Sequence, residues 1–516
     1  MSWKRVFCVG VVLASCLGFL LPSAWTSVVG SPDETAVAEA AHALAQSGSF
    51  RMDDARALAF PWLHPRSYVT VNAHRAPVGF LGWSFVLAIP RALGGVPLAG
   101  VCATLLTLTG LIPLYRLLRR YGETEAWLGV WVYATFPAWL LYTNRALFPN
   151  AIVCTGMLWG TWFLSQAAFE TLPRGRRVYD ILVGALLALT LAIRPVEVLW
   201  ILPWWVLAVW HDRTHVRRFV SYGIGALCAW LPLAWLASRT YDGWGLIGYW
   251  LRDPLNSGTD AVGTFFAQSQ APASVAISVF PFGFHVFNVL WNIRAFFFGP
   301  LFAWVGVGVA ACAWLWRARH RDAVLAVCAW TALVLVSVYG QGRYADHIAG
   351  SIAMGNSFIR YTLPLGGVLA VLVARCTQLI TVSRQRTVVF VSTLFLGCFG
   401  FYQVLCRDDE SLLRARVELQ RYAFIRAEAM RVLDPQTVVV SDRSDKIFFP
   451  QFSVASPIPP IAELARLSAT RTPIALFARP LSQTELDAYG RYGFIVEEVG
   501  FFGRETLYLL MRMHPV

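Results

Sequence analysis

Long apolar runs, broken at short intervals by polar clusters, set the pattern of this chain. A helix needs about 20 apolar residues to cross a bilayer. Runs of that kind, some slightly shorter, fall at 6–25, 96–117, 124–142, 150–168, 180–194, 196–210, 217–237, 296–316, 323–340, 363–380 and 387–405. They predict an all-α polytopic membrane domain of about eleven spanning helices. The runs at 180–194 and 196–210 are short, and Arg194-Pro195 between them marks a tight turn. Basic clusters recur at every second gap: Lys4/Arg5, Arg116/Arg119/Arg120, Arg174/Arg176/Arg177, Arg213/Arg217/Arg218, Arg317/Arg319/Arg321 and Arg384/Arg386. Positive residues collect in cytoplasmic loops, so the clusters predict a cytoplasmic N-terminus and a C-terminus outside. Lys4-Arg5 ahead of an apolar run also fits a cleaved signal peptide, but the spans that follow favour an uncleaved helix.

The same alternation puts three large regions outside. Residues 29–95 form a first loop with a helical stretch from Thr35 to Gln46 and a half-apolar stretch from Val78 to Leu93. Pro90 interrupts the latter, which is too short to span comfortably and is expected to lie along the membrane surface. Residues 238–295 and 341–362 form the second and third loops. After about Cys406 charges become frequent. An amphipathic helix is readable from Glu410 to Leu433, then strands at Thr437–Ser441, Ile474–Phe477, Phe494–Val499 and Thr506–Met511, with a helix near Ser482–Tyr489. Such alternation predicts a small C-terminal α/β domain. The expected division is 1–405 for the membrane domain and 406–516 for an extracytoplasmic α/β domain.

Composition narrows the function classes. The chain has 516 residues, 57% of them hydrophobic and only 14% charged. Soluble domains carry about 25% charged residues, so a soluble enzyme, a disordered chain and a disulfide scaffold are all excluded. A net charge of +13 in a soluble protein would suggest nucleic acid. Here the charge sits in the clusters between spans, and no nucleic-acid partner is expected. Of 43 basic residues only Lys4 and Lys446 are lysines, so phosphate handling falls to arginine. The ten cysteines lie in or beside apolar segments without a CxxC pair. They read as small buried hydrophobes, not as a disulfide framework or a zinc site.

Candidate chemistry gathers at the outer ends of the spans. Ser31-Pro32-Asp33-Glu34 follows the first span; it caps a helix and sets two carboxylates in its first turn. A carboxylate fixed there can take a proton from an acceptor hydroxyl. Asn72-Ala73-His74-Arg75-Ala76-Pro77 offers His74 and Arg75 either to a substrate cavity or to a plain polar loop. Asn144-Arg145, followed by Phe148-Pro149-Asn150, joins the third and fourth spans, and Arg194-Pro195 with Glu197 makes the turn after the fifth. An ion pair between Arg194 and Glu197 is the plainer reading of that turn. Arg343 precedes Ser357-Phe358-Ile359-Arg360-Tyr361-Thr362-Leu363-Pro364. Arginine is the preferred bidentate ligand of phosphate. Snorkelling to headgroups accounts for any one of these arginines, but less well for a whole set that shares its level with Asn144, Asp33, Glu34 and His74. His42, His64 and His74 with the first-loop carboxylates give only a weak metal signal, so no metal ligand is assigned and a divalent cation stays open as a cofactor. Asp242, Asp253 and Asp260 read as solvated, as does the charged turn of Asp442, Arg443, Asp445 and Lys446.

These residues together resemble the GT-C glycosyltransferases. The first outer loop opening with Asp33-Glu34, then Asn144-Arg145, Arg194-Pro195 and Arg360-Tyr361-Thr362-Leu363-Pro364 before the tenth span are the parts that match. The nearest branch is the dolichyl-phosphate-mannose protein mannosyltransferase-like group, which includes bacterial aminoarabinose transferases of lipid A. The resemblance covers roughly residues 1–405 as architecture, and the C-terminal domain is similar to one that many bacterial members carry. It implies inverting transfer of a sugar from a polyprenyl-phosphate carrier to a lipid, glycan or protein acceptor at the outer face of the inner membrane. It further implies Asp33, with Glu34, at the acceptor hydroxyl, and Arg360, Arg343, Arg194 and Arg145 at the carrier phosphate. His74, Arg75, Asn144 and Tyr361 would line the cavity. Several relatives carry an acidic residue where Asn150 stands and a His/Lys-Pro-Pro element where His74-Arg75-Ala76-Pro77 stands. A transporter or lipid flippase, or an envelope polymerase or ligase using pyrophosphate-linked glycans, remains the alternative.

Overall fold

A computed structural model describes residues 3–17, 27–166, 173–210, 215–243, 248, 285–318, 323–342, 344, 354–407 and 410–512. In chain order the first elements are α1 (Trp3–Leu17), α2 (Pro32–Ser47), β1 (Met52–Asp53), β2 (Tyr68–Val71), β3 (His74–Pro77), α3 (Gly82–Leu108), α4 (Leu111–Leu118), α5 (Glu123–Thr135), α6 (Pro137–Asn144), α7 (Pro149–Gln166), α8 (Pro173–Ile193), α9 (Val198–Val209) and α10 (His215–Thr240). Helices Phe302–Arg317, Ala323–Val334, Leu363–Leu379 and Ser383–Leu405 follow. A helix thus lies at each of the eleven apolar runs. Among the described residues, by length and apolarity alone, three helices qualify as spans, Gly82–Tyr121, Arg218–Thr240 and Ser383–Leu405, and up to six if each of three sharply bent pairs is one span. Helix Arg218–Thr240 leaves Phe219, Ile224, Trp230, Leu231 and Trp235 exposed. Such a surface belongs in lipid, and the protein is a multi-pass membrane protein.

Two details depart from the sequence reading. The run 124–142 breaks at Phe136-Pro137, where Pro137 opens α6 because its ring cannot continue α5. The stretch Val78–Leu93 does not stop at Pro90. It is helical from Gly82 and continues into the next run, and its interruption is Gly94–Gly95, with Gly95 at φ +69°. The cysteines also divide. Cys154, Cys328 and Cys376 are buried, whereas Cys16, Cys228, Cys312, Cys398 and Cys406 face outward.

The chain groups into two compact units, one of residues 1–24, 100–233 and 269–416, the other of residues 25–99, 234–268 and 417–516. In the first, ion pairs join helix starts that carry basic clusters. Lys4 Nζ lies 2.7 Å from Glu123 Oε1 and Arg386 pairs with Glu125. Arg218 grips Asp180 with two nitrogens, Nε at 2.9 Å from Oδ2, and both side chains are almost fully buried. Near that pair α8 and α10 cross backbone to backbone. A Cβ on Gly184 would fall 2.0 Å from the Tyr222 carbonyl oxygen, and one on Gly225 would fall 1.8 Å from that of Ile181.

The second unit holds a three-stranded antiparallel sheet, β1-β3-β2, and a five-stranded sheet, β5-β4-β6-β8-β7. The five-stranded sheet comprises β4 (Val438–Ser441), β5 (Ser453–Ala455), β6 (Ile474–Ala478), β7 (Phe494–Phe502) and β8 (Glu505–Arg512). Strand β4 runs parallel to β5 and β6, and β8 antiparallel to β6. The readings of four strands, of the helix now at Gln483–Arg491 and of the long helix at Leu412–Val432 hold. Strand β5, three residues long, and the nine-residue helix Ile461–Ala469 are too short to stand out in the sequence. A sheet with parallel strands must be covered on both faces. Val438, Val440 and Leu476 on one face pack with Phe60 and Leu63. Val439 and Phe477 on the other pack with Ala36 of α2 and Tyr68 of β2. The segment 29–95 therefore supplies cover for the C-terminal sheet, and the compact units do not follow the sequence boundary at 405/406.

Candidate functional site

In the first unit the candidate residues meet at the helix ends opposite the basic clusters. Two sharp bends make the place. Between Pro137–Asn144 and Pro149–Gln166 the chain turns by 111°, and between Arg177–Ile193 and Pro195–Val209 by 114°. The first turn carries Arg145 and Phe148, whose backbone N–H donates to the Arg145 carbonyl at 3.0 Å. Buried Phe148 is a platform: the guanidiniums of Arg145 and Arg360 each lie 4.9 Å from its ring centre. Asn144, just before, is buried and donates to the Leu140 carbonyl at 2.8 Å.

The second turn carries Arg194. Its Nε donates to Glu197 Oε1 at 2.8 Å, so the plainer ion-pair reading of this turn is correct. The same guanidinium reaches the Asn150 side-chain oxygen at 3.4 Å and lies 5.3 Å from the Tyr361 ring centre. The Tyr339 hydroxyl donates to Glu197 Oε1 at 2.8 Å, and its ring stacks on Tyr361 at 4.2 Å, nearly parallel at 5°. Trp200 donates to the other Glu197 oxygen. Arg360 donates to the Tyr361 hydroxyl at 3.4 Å and to Ser357 Oγ at 3.5 Å, on the one-turn helix Ser357–Tyr361 that Asn356 caps. Arg145, Arg360 and Arg194 thus surround two aromatic platforms, with the Glu197 carboxylate among them. Guanidiniums held on rings keep planar N–H edges in a fixed orientation, which suits phosphate. Arg343 lies outside the described residues. Tyr339, at the end of an apolar run, and the platform role of Phe148 were not read from sequence; only an aromatic at a span end hinted at either.

In the second unit Ser31 caps α2: its Oγ accepts from the Glu34 N–H at 3.2 Å, and Pro32 occupies the first helical position. The two carboxylates then part. Asp33 is exposed and accepts from Ser67 Oγ at 3.4 Å, whereas Glu34 is buried. Glu39, one turn further on, was not singled out from sequence; it is buried and receives Arg91 at 3.0 and 3.3 Å.

His74 and Arg75 are not loop residues: they form β3 and are buried. His74 Nε2 sits 2.8 Å from the Thr240 carbonyl, and Arg75 pairs with Asp54. Burial pulls the Arg75 guanidinium below its usual range despite that partner. Asp242 is not merely solvated, since it accepts from Arg51 and from Asn72 Nδ2, the latter at 2.6 Å; Asp253 and Asp260 lie outside the described residues. In the turn at 442–446 Asp442 is exposed, but Asp445 and Lys446 are engaged rather than solvated. Asp445 is 1% exposed and paired with Arg66, and Lys446 donates to the Gly30 carbonyl. Among the described residues no three His, Cys, Asp or Glu side chains gather as a metal-binding group.

No protein-family model matches the chain, and no curated protein matches it. Solved structures do. The crystal structure of ArnT from Cupriavidus metallidurans in the apo state superposes with a TM-score of 0.60 at 14% identity, covering 97% of both chains. The same protein bound to undecaprenyl phosphate gives 0.59 at 12% identity, again with 97% of both chains covered. At such identity the likeness is one of fold. It bears out the expected architecture, an apolar helical domain with a small strand-containing C-terminal domain.

Proposed function

We propose that this protein is an inverting glycosyltransferase that moves a sugar from a polyprenyl-phosphate carrier to an acceptor hydroxyl at the outer face of the inner membrane. The observation that carries the reading is the pair of guanidiniums, Arg145 and Arg360, set on the single buried ring of Phe148. The fold shared along the whole chain with a protein crystallised with undecaprenyl phosphate supports it.

The chemistry asks for little more. Breaking the bond from an anomeric carbon to a lipid phosphate releases a weakly basic anion, which needs charge neutralisation more than a proton. Preoriented guanidiniums supply that without reorganising. Arg360 and Arg145 are assigned to the phosphate. Arg194, already engaged by Glu197, is assigned chiefly to holding Tyr361 and Tyr339. The acceptor hydroxyl needs a base on the opposite face of the sugar, and attack there inverts the anomeric centre. Exposed Asp33, fixed in the first turn of α2, is assigned that role.

The test uses undecaprenyl phosphate carrying radiolabelled aminoarabinose, alongside other pentoses and hexoses, with membrane lipid extract as acceptor. Asp33→Asn is expected to lower transfer by about 10²–10⁴-fold while undecaprenyl phosphate still binds. Arg360→Gln is expected to weaken undecaprenyl phosphate binding about 10- to 100-fold, the worth of charge-assisted hydrogen bonds. Near wild-type transfer by Asp33→Asn would sink the base assignment, and unchanged binding by Arg360→Gln the phosphate assignment.

A further inference from the structure

The segment that delivers Asp33 is irregular. Residues 27–30 belong to no helix or strand, and Val28 and Val29 are buried. Its backbone is tied down by side chains from far along the chain. Lys446 Nζ donates to the Gly30 carbonyl at 2.9 Å, and Arg426 donates to that of Ser27 at 3.2 Å. Asp33 is also held from its other side. Ser67, which donates to its carboxylate, follows Arg66, and Arg66 is gripped by Asp445: backbone N to Oδ2 at 3.0 Å, Nε to Oδ1 at 2.9 Å. Arg66 also donates to the Arg443 carbonyl at 2.7 Å.

Both grips start from adjacent residues. Asp445 and Lys446 open the one-turn helix Asp445–Phe448. That helix is itself anchored. Ile447 and Phe448, with Phe449 just after them, are buried in the same core as Ala36 of α2, and the Phe449 and Tyr68 rings lie 5.1 Å apart. Arg426 further ties Lys446, Ile447 and Phe449 through their carbonyl oxygens. Lys446 runs over the Tyr422 ring at 4.8 Å before reaching Gly30. It is one of two lysines in the whole chain, and the one at which the chain reaches into its first outer loop.

We propose that Asp445 and Lys446 are positioning residues that set the Asp33 carboxylate against its substrate, so that the C-terminal domain is part of the catalytic apparatus without supplying a reacting group. The proposal rests on the reading of Asp33 as the base. A base displaced by about 1 Å loses on the order of 10²-fold in rate, and the two grips bracket Asp33 in sequence and in space. Lys446 fixes the backbone three residues ahead of it, and Asp445 fixes the strand entry that carries its hydrogen-bond donor.

The experiment takes the full-length protein in detergent with the labelled undecaprenyl-phosphate sugar as probe. Lys446→Met is expected to lower kcat about 10- to 100-fold while the donor KM and undecaprenyl phosphate binding stay within about twofold. Lys446→Arg, which can still donate to Gly30, is expected to restore most of the rate. Hydrogen exchange should quicken at amides 28–35 in Lys446→Met and stay unchanged in β4 and β6. Should Lys446→Met fail to fold, Ser67→Ala carries the test, with a fall in kcat of at least about threefold at unchanged KM.

Wild-type kcat in the variant that folds overturns the proposal. So does a rise in donor KM that accounts for the defect, or faster exchange throughout the sheet. Asp33→Asn separates the two readings. If it is inactive while Lys446→Met is fully active, the base assignment stands and the positioning role falls; if it is active, the base assignment itself has failed.

Discussion

Asp54→Asn tests how the strand carrying His74 and Arg75 is held. Asp54 accepts from Arg56 at its backbone N, 3.0 Å, and at Nε, 3.1 Å, from Ser453 at 3.3 Å, and from Arg75. The side chains are 11% exposed for Asp54 and 6% for Arg75. Asparagine keeps the shape and one acceptor oxygen but removes the charge. Arg75 would then stay buried as a cation whose Nε already has no hydrogen-bond acceptor. Breaking one side of a buried pair costs about 3–5 kcal/mol. For a unit of this size that lowers the melting midpoint by roughly 6 °C or more. Intrinsic tryptophan fluorescence of the detergent-purified chain at pH 7 measures it. Arg75→Met alone should also destabilise, and the double variant should recover at least about half of the summed loss, because the two residues act through one contact.

The pH dependence has a definite sign. Burial pushes the Asp54 carboxyl up, but Arg75 and Arg56 together outweigh it and hold it below its ordinary value of 3.8. A depressed carboxylate contributes stability that is complete above its unfolded pKa and is lost as pH falls through the folded one. The gap between wild type and Asp54→Asn should therefore be constant from about pH 7 to 5 and close below 3.8. A midpoint within about 1 °C of wild type at pH 7, or fully additive single variants, would refute the argument.

Two further outcomes test the first unit. Gly225→Val should abolish a folded species by size-exclusion chromatography, because its Cβ would meet the Ile181 carbonyl oxygen at 1.8 Å, which is backbone and cannot swing aside. Gly223, with open space around it, is the control that should tolerate alanine. Arg218→Met should cost about 3–5 kcal/mol by stranding Asp180, while Arg218→Met with Asp180→Leu should be near neutral in the same melting assay; equal losses in both would show that the pair is not what holds α8 to α10.

Much of the candidate chemistry was legible because it is local. The cap Ser31-Pro32-Asp33-Glu34 needs only four consecutive residues, and the Arg194–Glu197 pair only one helical turn. The aromatic platforms were not legible. Phe148, between two runs, and Tyr339, at the end of one, look like any other aromatic at a span end until the bends of 111° and 114° turn arginines onto them or beside them. Likewise His74 and Arg75 read as loop residues because β3 is four residues long and exists only through its pairing with β1 and β2.

By itself the sequence determined the membrane character, the places of the apolar helices, the alternation of basic clusters and four of the five strands of the C-terminal sheet. Each follows from hydropathy, charge or periodicity within about twenty residues. Only the tertiary structure decided which polar groups share a neighbourhood. Arg66 meets Asp445 across 379 positions and Lys446 meets Gly30 across 416. A charged turn read alone is a solvated turn, since exposure is the cheapest state for four charges within five residues. Here Asp442 stays exposed while Asp445 is buried, because the C-terminal sheet must be covered on both faces and the cover comes from the loop that carries Asp33.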